Sequence, residues 1–485
     1  MTERNLKQKT IAGVKWSFLD NIWKSGGQFV VGIILTRLLT PEDFGLIGMI
    51  TIFIVIGQSL INSGFGQALI QKKNASSVDF STVFYFNIFA STVIYLILYF
   101  SAPLIADFYN QPELIPLIKV ICLSFIIDAI GRIHLVHLEK ELDFKAPSIV
   151  GIISVVLSGV ISIAMAYTGF GVWALVAHTL LKSLITTILF WWVSKWRPLL
   201  QFSMESLRSL FMFGSKILVA GIMQSIFQNI YYLVIGRIFS AQSLGYFTRA
   251  TQFKDLPVLT TTRIIQKVTF PVFSKIQDDD DKLMSGYTQA IRILSAVVLP
   301  MMVLIVTASE PLINIVLGDK WLPVVPYLQV MALYGWIHIL FAMNHQVIIV
   351  KGRSDYYLQI KIIEKIFIIL AILFTFRYNI MAMIYGHMIA SILSYYVGNI
   401  YLYKVIKISI WHQFKNMAPF LLSAVLMLLS GILLSEQIDN KLLNFLIVSS
   451  FGVTIYLITL WLWGVKELKM GIDLARKTLI KFKQK

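Results

Sequence analysis

Charged residues make up only 14% of the 485 residues, and they are lopsided, with 42 Lys and Arg against 25 Asp and Glu, for a formal charge of +17. A soluble chain of this length could not cover its surface with so few charges. Cysteine is reduced to Cys122, which excludes disulfide frameworks and cysteine-based metal sites. No G-x-x-x-x-G-K-[ST] run occurs, so the chain carries no phosphate loop for ATP. Long polar stretches are also missing, and with them room for a soluble catalytic domain. The basic residues are scattered over many short loops rather than gathered in one domain, which argues against a nucleic-acid partner. No cleavable leader is expected. Arg4, Lys7 and Lys9 precede a long span holding Lys15, Asp20 and Lys24, without a small-residue cleavage pattern.

What the chain has instead is apolar length. It is 57% hydrophobic, and runs of about 20 apolar residues recur from end to end, each long enough to cross a bilayer as a helix. The runs lack the alternation of a barrel strand, and backbone groups in lipid must be satisfied within the segment. The fold class expected is therefore an all-α integral membrane protein with about 14 transmembrane helices. The weakest of them is the run at 244–266, interrupted by Arg249, Lys254, Asp255 and Arg263. With the N-terminus on the cytoplasmic side, roughly 28 Lys and Arg fall on inside segments and about 5 on outside loops, so both termini are expected to be cytoplasmic. The tail after Gly464 sets Leu468, Ile472, Ala475, Leu479 and Phe482 on one face. That pattern fits an interfacial helix, or a solvated basic tail.

The chain also repeats itself. Arg37-Leu-Leu-Thr-Pro-Glu-Asp-Phe-Gly45 is echoed by Arg237-Ile-Phe-Ser-Ala-Gln-Ser-Leu-Gly245. Residues 171–184 echo 380–393, aligning His178 with His387, and 114–120 echo 324–330 more faintly. Two diverged copies of about 200 residues in the same order imply two pseudo-symmetric six-helix lobes, a parallel repeat. The expected domains are an N-lobe at 1–200, a C-lobe at 201–405, and two further helices with a basic tail at 406–485. Arg37 and Arg237 fall at the outer ends of equivalent helices, where a gate or a turn is expected.

Ionisable groups inside spans are costly and usually face a cavity or a partner. Ser17, Asp20, Lys24 and Gln28 form one stripe on the first helix, answered 200 residues later by Gln224 and Gln228. The eighth run adds Arg249, Gln252, Lys254 and Asp255, and the eleventh adds Glu364 and Lys365. Lys24, Arg249, Lys254, Gln28, Gln224 and Gln228 are the candidate lining of a cationic cavity, which would suit an anionic substrate because phosphate oxygens accept charge-assisted hydrogen bonds from Lys and Arg. Asp20, Asp128 and Arg132 are candidates for ion coupling or for mutual pairing, Asp20 with Lys24 and Asp128 with Arg132. His134 and His137 lie three apart, a spacing compatible with a metal but set beside Glu139 and Lys140. His178 and His387 read as packing residues or as a proton relay. No cofactor or metal is expected.

Several stretches carry a resemblance. Gly13-Val-Lys-Trp-Ser-Phe, Leu35-Thr-Arg-Leu-Leu-Thr-Pro-Glu-Asp-Phe-Gly45, Ser63-Gly-Phe-Gly-Gln-Ala-Leu-Ile-Gln-Lys72 and Phe270-Pro-Val-Phe-Ser-Lys-Ile-Gln-Asp278 resemble the polysaccharide transporters of the multidrug/oligosaccharidyl-lipid/polysaccharide superfamily. These are the Wzx-type flippases and the colanic-acid and teichuronic-acid exporters. The resemblance implies translocation of an undecaprenyl-diphosphate-linked oligosaccharide across the bacterial cytoplasmic membrane by alternating access. It implies ion-gradient coupling, a central cationic cavity, and two extra helices holding the lipid tail. It also implies a transporter rather than an enzyme, acting as a monomer among membrane lipids, with a polysaccharide polymerase or assembly complex as a possible partner. Relatives place cationic side chains on helices 1, 2, 7 and 8; here helix 2 offers only Gln58 and Asn62. The alternative reading is a drug or cation antiporter of the same superfamily, which would favour acidic cavity residues.

Overall fold

The structure is a computed structural model, and it describes residues 26–61 and 64–468. Among these residues the regular structure is helical throughout, as lipid requires of a chain that cannot close into a barrel. Among the described residues eleven helices are long and apolar enough to cross a membrane. The about 14 crossings expected from the sequence are not all reached on that measure, for physical reasons. The described part of the first helix, α1 (Gly26–Leu38), is short. Helix α10 (Ala241–Lys275) and helix α14 (Ser354–Thr375) carry too many charges to count as apolar.

The chain divides into two compact units, Met1–Gly245 and Tyr246–Lys485. The first holds α1, α2 (Pro41–Ile61), α3 (Phe65–Gln71), α4 (Ser77–Tyr109), α5 (Leu114–Ile121), α6 (Leu123–Lys140), α7 (Lys145–Tyr167), α8 (Trp173–Val193), α9 (Met204–Ile238) and the first turn of α10. Here α7 packs on α8, α8 on α6, α6 on α4, and α9 on α2. The second holds the rest of α10, α11 (Asp280–Thr307), α12 (Ser309–Leu317), α13 (Val324–Val350), α14, α15 (Ile380–Ile406), α16 (Ile410–Ser435) and α17 (Lys441–Leu462). In it α11 contacts both α13 and α16, α15 contacts α13 and α14, and α16 pairs with α17.

Both units keep large apolar side chains on the outside. Phe100 is 73% exposed, Leu104 71% and Trp461 68%. In water such surface would aggregate; against acyl chains it costs nothing. The interior is partly polar. In the second unit Tyr287 donates to Asn344 Oδ1 at 2.5 Å and Tyr395 to Gln413 Oε1 at 2.5 Å, while Gln413 and Asn344 both donate to Asn399 Oδ1. This chain ties α11, α13, α15 and α16 together with hydrogen bonds that lipid could not replace.

The acidic run Asp278–Asp281 is a loop and helix start. Asp279 caps α11 by accepting from the Lys282 backbone at 3.0 Å. Asp20, Lys24 and the tail face from Ile472 to Phe482 lie outside the described residues.

Candidate functional site

Mid-helix charge in the second unit is gathered in one place. On α14 the residues Lys361, Glu364 and Lys365 stand at i, i+3 and i+4, which puts them on one face. Lys361 donates to Glu364 Oε2 at 2.9 Å, and Lys365 to Oε1 at 3.4 Å. Helix α10 brings Lys254, paired with Asp255 at 2.7 Å. Helix α13 brings His338 and His345, and α15 brings His387. His338 is within electrostatic reach of Lys254, Asp255, Lys361 and Glu364. His345 feels Lys361, Glu364 and Lys365, and His387 feels Lys254, His338 and Glu364. Aromatic rings wall the group. Phe341 lies 4.1 Å and Tyr357 5.1 Å from the His345 ring, and Tyr334 lies 5.6 Å from His387.

Lysines and carboxylates at the middle of two helices are expensive in a bilayer and persist where they face one another or water. His338 keeps an exposed side chain inside this ring of charges. Glu364 and Lys365 are readable in the sequence as charges in an apolar run. Lys361, His338 and His345 were missed. The available signal was the seven-residue spacing of the two histidines, which sets them on one side of α13 opposite an i, i+3, i+4 charge triplet.

The other expected residues are placed more loosely. Arg249 is buried and donates to Gln252 one turn on. It stands five residues from Lys254, so the two point about 140° apart around α10 and do not share a face. Gln224 and Gln228 are exposed on α9, and Gln28 is exposed on α1. Between the two glutamines Ser225 is buried and shares a 2.7 Å hydrogen bond with Ser59 of α2. Asp128 and Arg132 are half-buried on α6. No salt bridge within 4.0 Å is seen between them among the described residues, yet each lies within electrostatic reach of the other, and Asp128 also faces Ser183 and Lys182 of α8.

Arg37 and Arg237 are exposed at the ends of α1 and α9. Arg237 lies over the Phe108 ring at 5.2 Å and reaches the Asn110 side-chain amide at 2.9 Å. The repeat histidines have diverged. His178 sits 3.4 Å from Ser162, whereas His387 joins the charge cluster. His134 is buried against Trp191 and Trp196, at 4.6 and 5.2 Å. Among the described residues no group of three His, Cys, Asp or Glu side chains could hold a metal.

At the N-terminal end of α4 a polar knot joins four helices. Lys140 of α6 donates to the carbonyls of Leu69 and Lys72 at 2.8 and 2.7 Å, closing the C-terminus of α3. Lys72 in turn reaches Asp79 at 2.8 Å. Asp79 completes a capping box with Ser76 and faces Ser206 of α9. Outside the spans, the Arg353 guanidinium holds the Asp355 carboxyl down to about 2. Arg292 of α11 binds Glu467 through both carboxylate oxygens, at 2.5 and 2.9 Å, and holds that carboxyl below its usual value.

Residues 34–326 match the family described as polysaccharide biosynthesis protein. The chain is 31% identical over 444 residues to the teichuronic acid biosynthesis protein TuaB of Bacillus subtilis (strain 168), covering 89% of this chain and 91% of that one. It is 26% identical over 353 residues to the lipopolysaccharide biosynthesis protein WzxC of Escherichia coli (strain K12), covering 72% of each. Its fold is similar to that of the lipid II flippase MurJ in an inward closed conformation, with a TM-score of 0.76 and 17% identity over 93% of this chain and 98% of that one. An inward-facing multidrug transporter of the MATE family overlaps less, with a TM-score of 0.60, 16% identity and coverage of 79% and 96%.

Proposed function

The chain belongs to the polysaccharide biosynthesis protein family, and from that premise we propose that it is a flippase for an undecaprenyl-diphosphate-linked oligosaccharide repeat unit. It works by alternating access of two six-helix lobes in the bacterial cytoplasmic membrane, with residues 406–485 as an addition to them. The observation that carries this reading is the mid-helix cluster around Lys254, Lys361, Glu364 and Lys365. A lipid tail can stay in the bilayer while its diphosphate and sugars need a wet, polar passage. Ammonium groups along that passage lower the barrier for the diphosphate, and carboxylate partners keep the binding weak enough for release.

In this reading Lys24, Arg249 and Lys254 attend the diphosphate, and Gln28, Gln224 and Gln228 offer amides to the sugars. Arg37 and Arg237 belong to the outer gate. Asp20, Asp128 and Arg132 are the groups through which an ion gradient would act. A cation antiporter would place carboxylates, not lysines, in excess at mid-helix, so the cluster favours the anionic cargo.

The test is reconstitution into liposomes carrying a fluorescent undecaprenyl-diphosphate oligosaccharide in the inner leaflet. Protein-dependent appearance of the label in the outer leaflet is expected. Transfer of small organic cations with no transfer of the lipid-linked sugar would overturn the reading.

A further inference from the structure

The joint between α15 and α16 carries cations that no acidic side chain answers. Lys404 and Lys407 end α15, and both are exposed. Among the described residues neither enters an ion pair. Asp355, the acidic residue in the first turn of α14, is already held by Arg353 through hydrogen bonds of 2.9 and 2.7 Å. The two ammonium groups lie instead against aromatic rings, Lys404 5.0 Å from Tyr401 and Lys407 5.6 Å from Tyr403. An ammonium beside a ring keeps N–H donors for an anion. The Tyr401 ring is fixed from α14, meeting Tyr356 at 5.1 Å and donating its hydroxyl to Gln359 at 2.8 Å. Lys407 itself stands at φ 57, ψ 19, a left-handed conformation that glycine adopts freely and that strains any residue with a Cβ. A lysine kept at such a position points to a use for its side chain.

The face of α15 that leads to these lysines is apolar. Ile389, Leu393, Tyr396, Ile400 and Tyr403 are exposed at steps of three and four, one stripe along the helix that runs out at Lys407. Leu358, Ile362 and Ile366 make a similar exposed stripe on α14, which packs along α15. Trp411, 74% exposed, stands just beyond the joint. Tyrosine, tryptophan and lysine at the end of an apolar stripe mark the depth of lipid headgroups. We propose that the α15–α16 joint is a binding site for an anionic glycerophospholipid. Its phosphate accepts hydrogen bonds from Lys404 and Lys407, and its acyl chains lie along the apolar stripes. Charge complementarity selects this occupant. Ammonium groups without a carboxylate match a lipid of net negative charge, and gain little from a zwitterionic one that carries its own cation. The lipid belongs to the membrane and not to the cargo, so the proposal stands apart from the flippase reading.

The experiment reconstitutes the full-length chain into phosphatidylcholine bilayers and adds brominated phosphatidylglycerol or brominated phosphatidylcholine. Bromine on the acyl chains quenches nearby indoles. The signal of Trp411 is taken as the difference between each protein and its Trp411→Phe version, so the readout is local to the joint. Each lysine beside an anionic headgroup contributes about fivefold, so wild type prefers phosphatidylglycerol by about 25-fold and Lys404→Gln or Lys407→Gln by about fivefold. The double variant shows no preference. Lys407→Gly removes the ammonium and the left-handed strain together. It loses the same share of the preference and melts no lower than wild type in phosphatidylcholine, which separates loss of the site from loss of the fold. Lys73 and Lys195 are exposed in the first unit, and replacing both with Gln removes the same charge elsewhere and leaves the preference intact. Equal quenching by the two lipids in wild type overturns the site. An equal loss of preference in the Lys73→Gln, Lys195→Gln double variant overturns it too, since the attraction would then be the diffuse charge of the whole chain.

Discussion

Gly45 and Gly245 meet reciprocally inside the first unit. A Cβ on Gly45 would fall 1.7 Å from the Ala241 carbonyl oxygen, and a Cβ on Gly245 would fall 1.8 Å from that of Pro41. The two echoing motifs therefore touch, and each glycine lets the first turn of one helix press against the first turn of its counterpart. Contact this close brings Cα–H groups onto carbonyl oxygens, a weak but recurrent stabilisation of helix crossings. Backbone oxygens cannot swing away as a side chain can. Gly45→Ala and Gly245→Ala should each push the crossing apart, costing about 1–3 kcal/mol, and both should lower the melting temperature in detergent and reduce surface-polysaccharide complementation. Unchanged melting in both variants would show that the crossing is not under compression.

A second prediction concerns Asp79. Its side chain is buried, yet it answers Lys72, caps α4 through Ser76 and faces Ser206. Asp79→Ala removes the cap and strands Lys72, and should destabilise the protein by about 2–3 kcal/mol. Asp79→Asn keeps the shape and part of the capping but not the charge, and should cost less. Thermal unfolding of both variants checks the order. Equal losses would mean that charge, not shape, holds the knot.

The membrane class, the helix positions and the repeat were legible in the sequence because lipid enforces long apolar runs, and two copies of one motif leave a register. The contact between Gly45 and Gly245 was not, since a glycine on a helix looks the same whether or not a backbone crosses it. At the site, Lys254, Glu364 and Lys365 stand out as charges in apolar surroundings. Their assembly with His338, His345 and Lys361 depends on how α10, α13, α14 and α15 turn toward one another, which helical spacing within one run does not fix. Arg249 and Lys254 show the converse. Both are mid-helix cations, but a five-residue spacing sends them to different faces, and composition alone groups them.

The same two residues supply the mutants that test the cavity. Lys254→Ala removes the partner of Asp255 and one positive neighbour of His338 and His387. It should abolish complementation of surface polysaccharide while the protein still reaches the membrane. Arg249→Ala should do the same if Arg249 also attends the diphosphate. Immunoblots of membrane fractions beside the complementation assay distinguish loss of transport from loss of protein. Full activity in both variants would remove the cationic-cavity argument.

The last prediction is a pH dependence outside the membrane. Glu467 follows α17 and is clasped by Arg292 of α11 through two hydrogen bonds. The guanidinium holds its carboxyl below the ordinary glutamate value in the folded protein. A carboxyl with a depressed folded pKa binds its proton less readily folded than unfolded, so its contribution is complete above the unfolded value of about 4.3. That contribution disappears as the pH falls through the folded value. Wild type should therefore unfold at a higher temperature than Glu467→Gln at neutral pH, and the gap should close as the pH drops below about 4. The side chains are 24% and 13% exposed, so the pair keeps some contact with solvent and salt should narrow the gap. A gap that widens in acid would mean that Glu467 is held by something other than its charge.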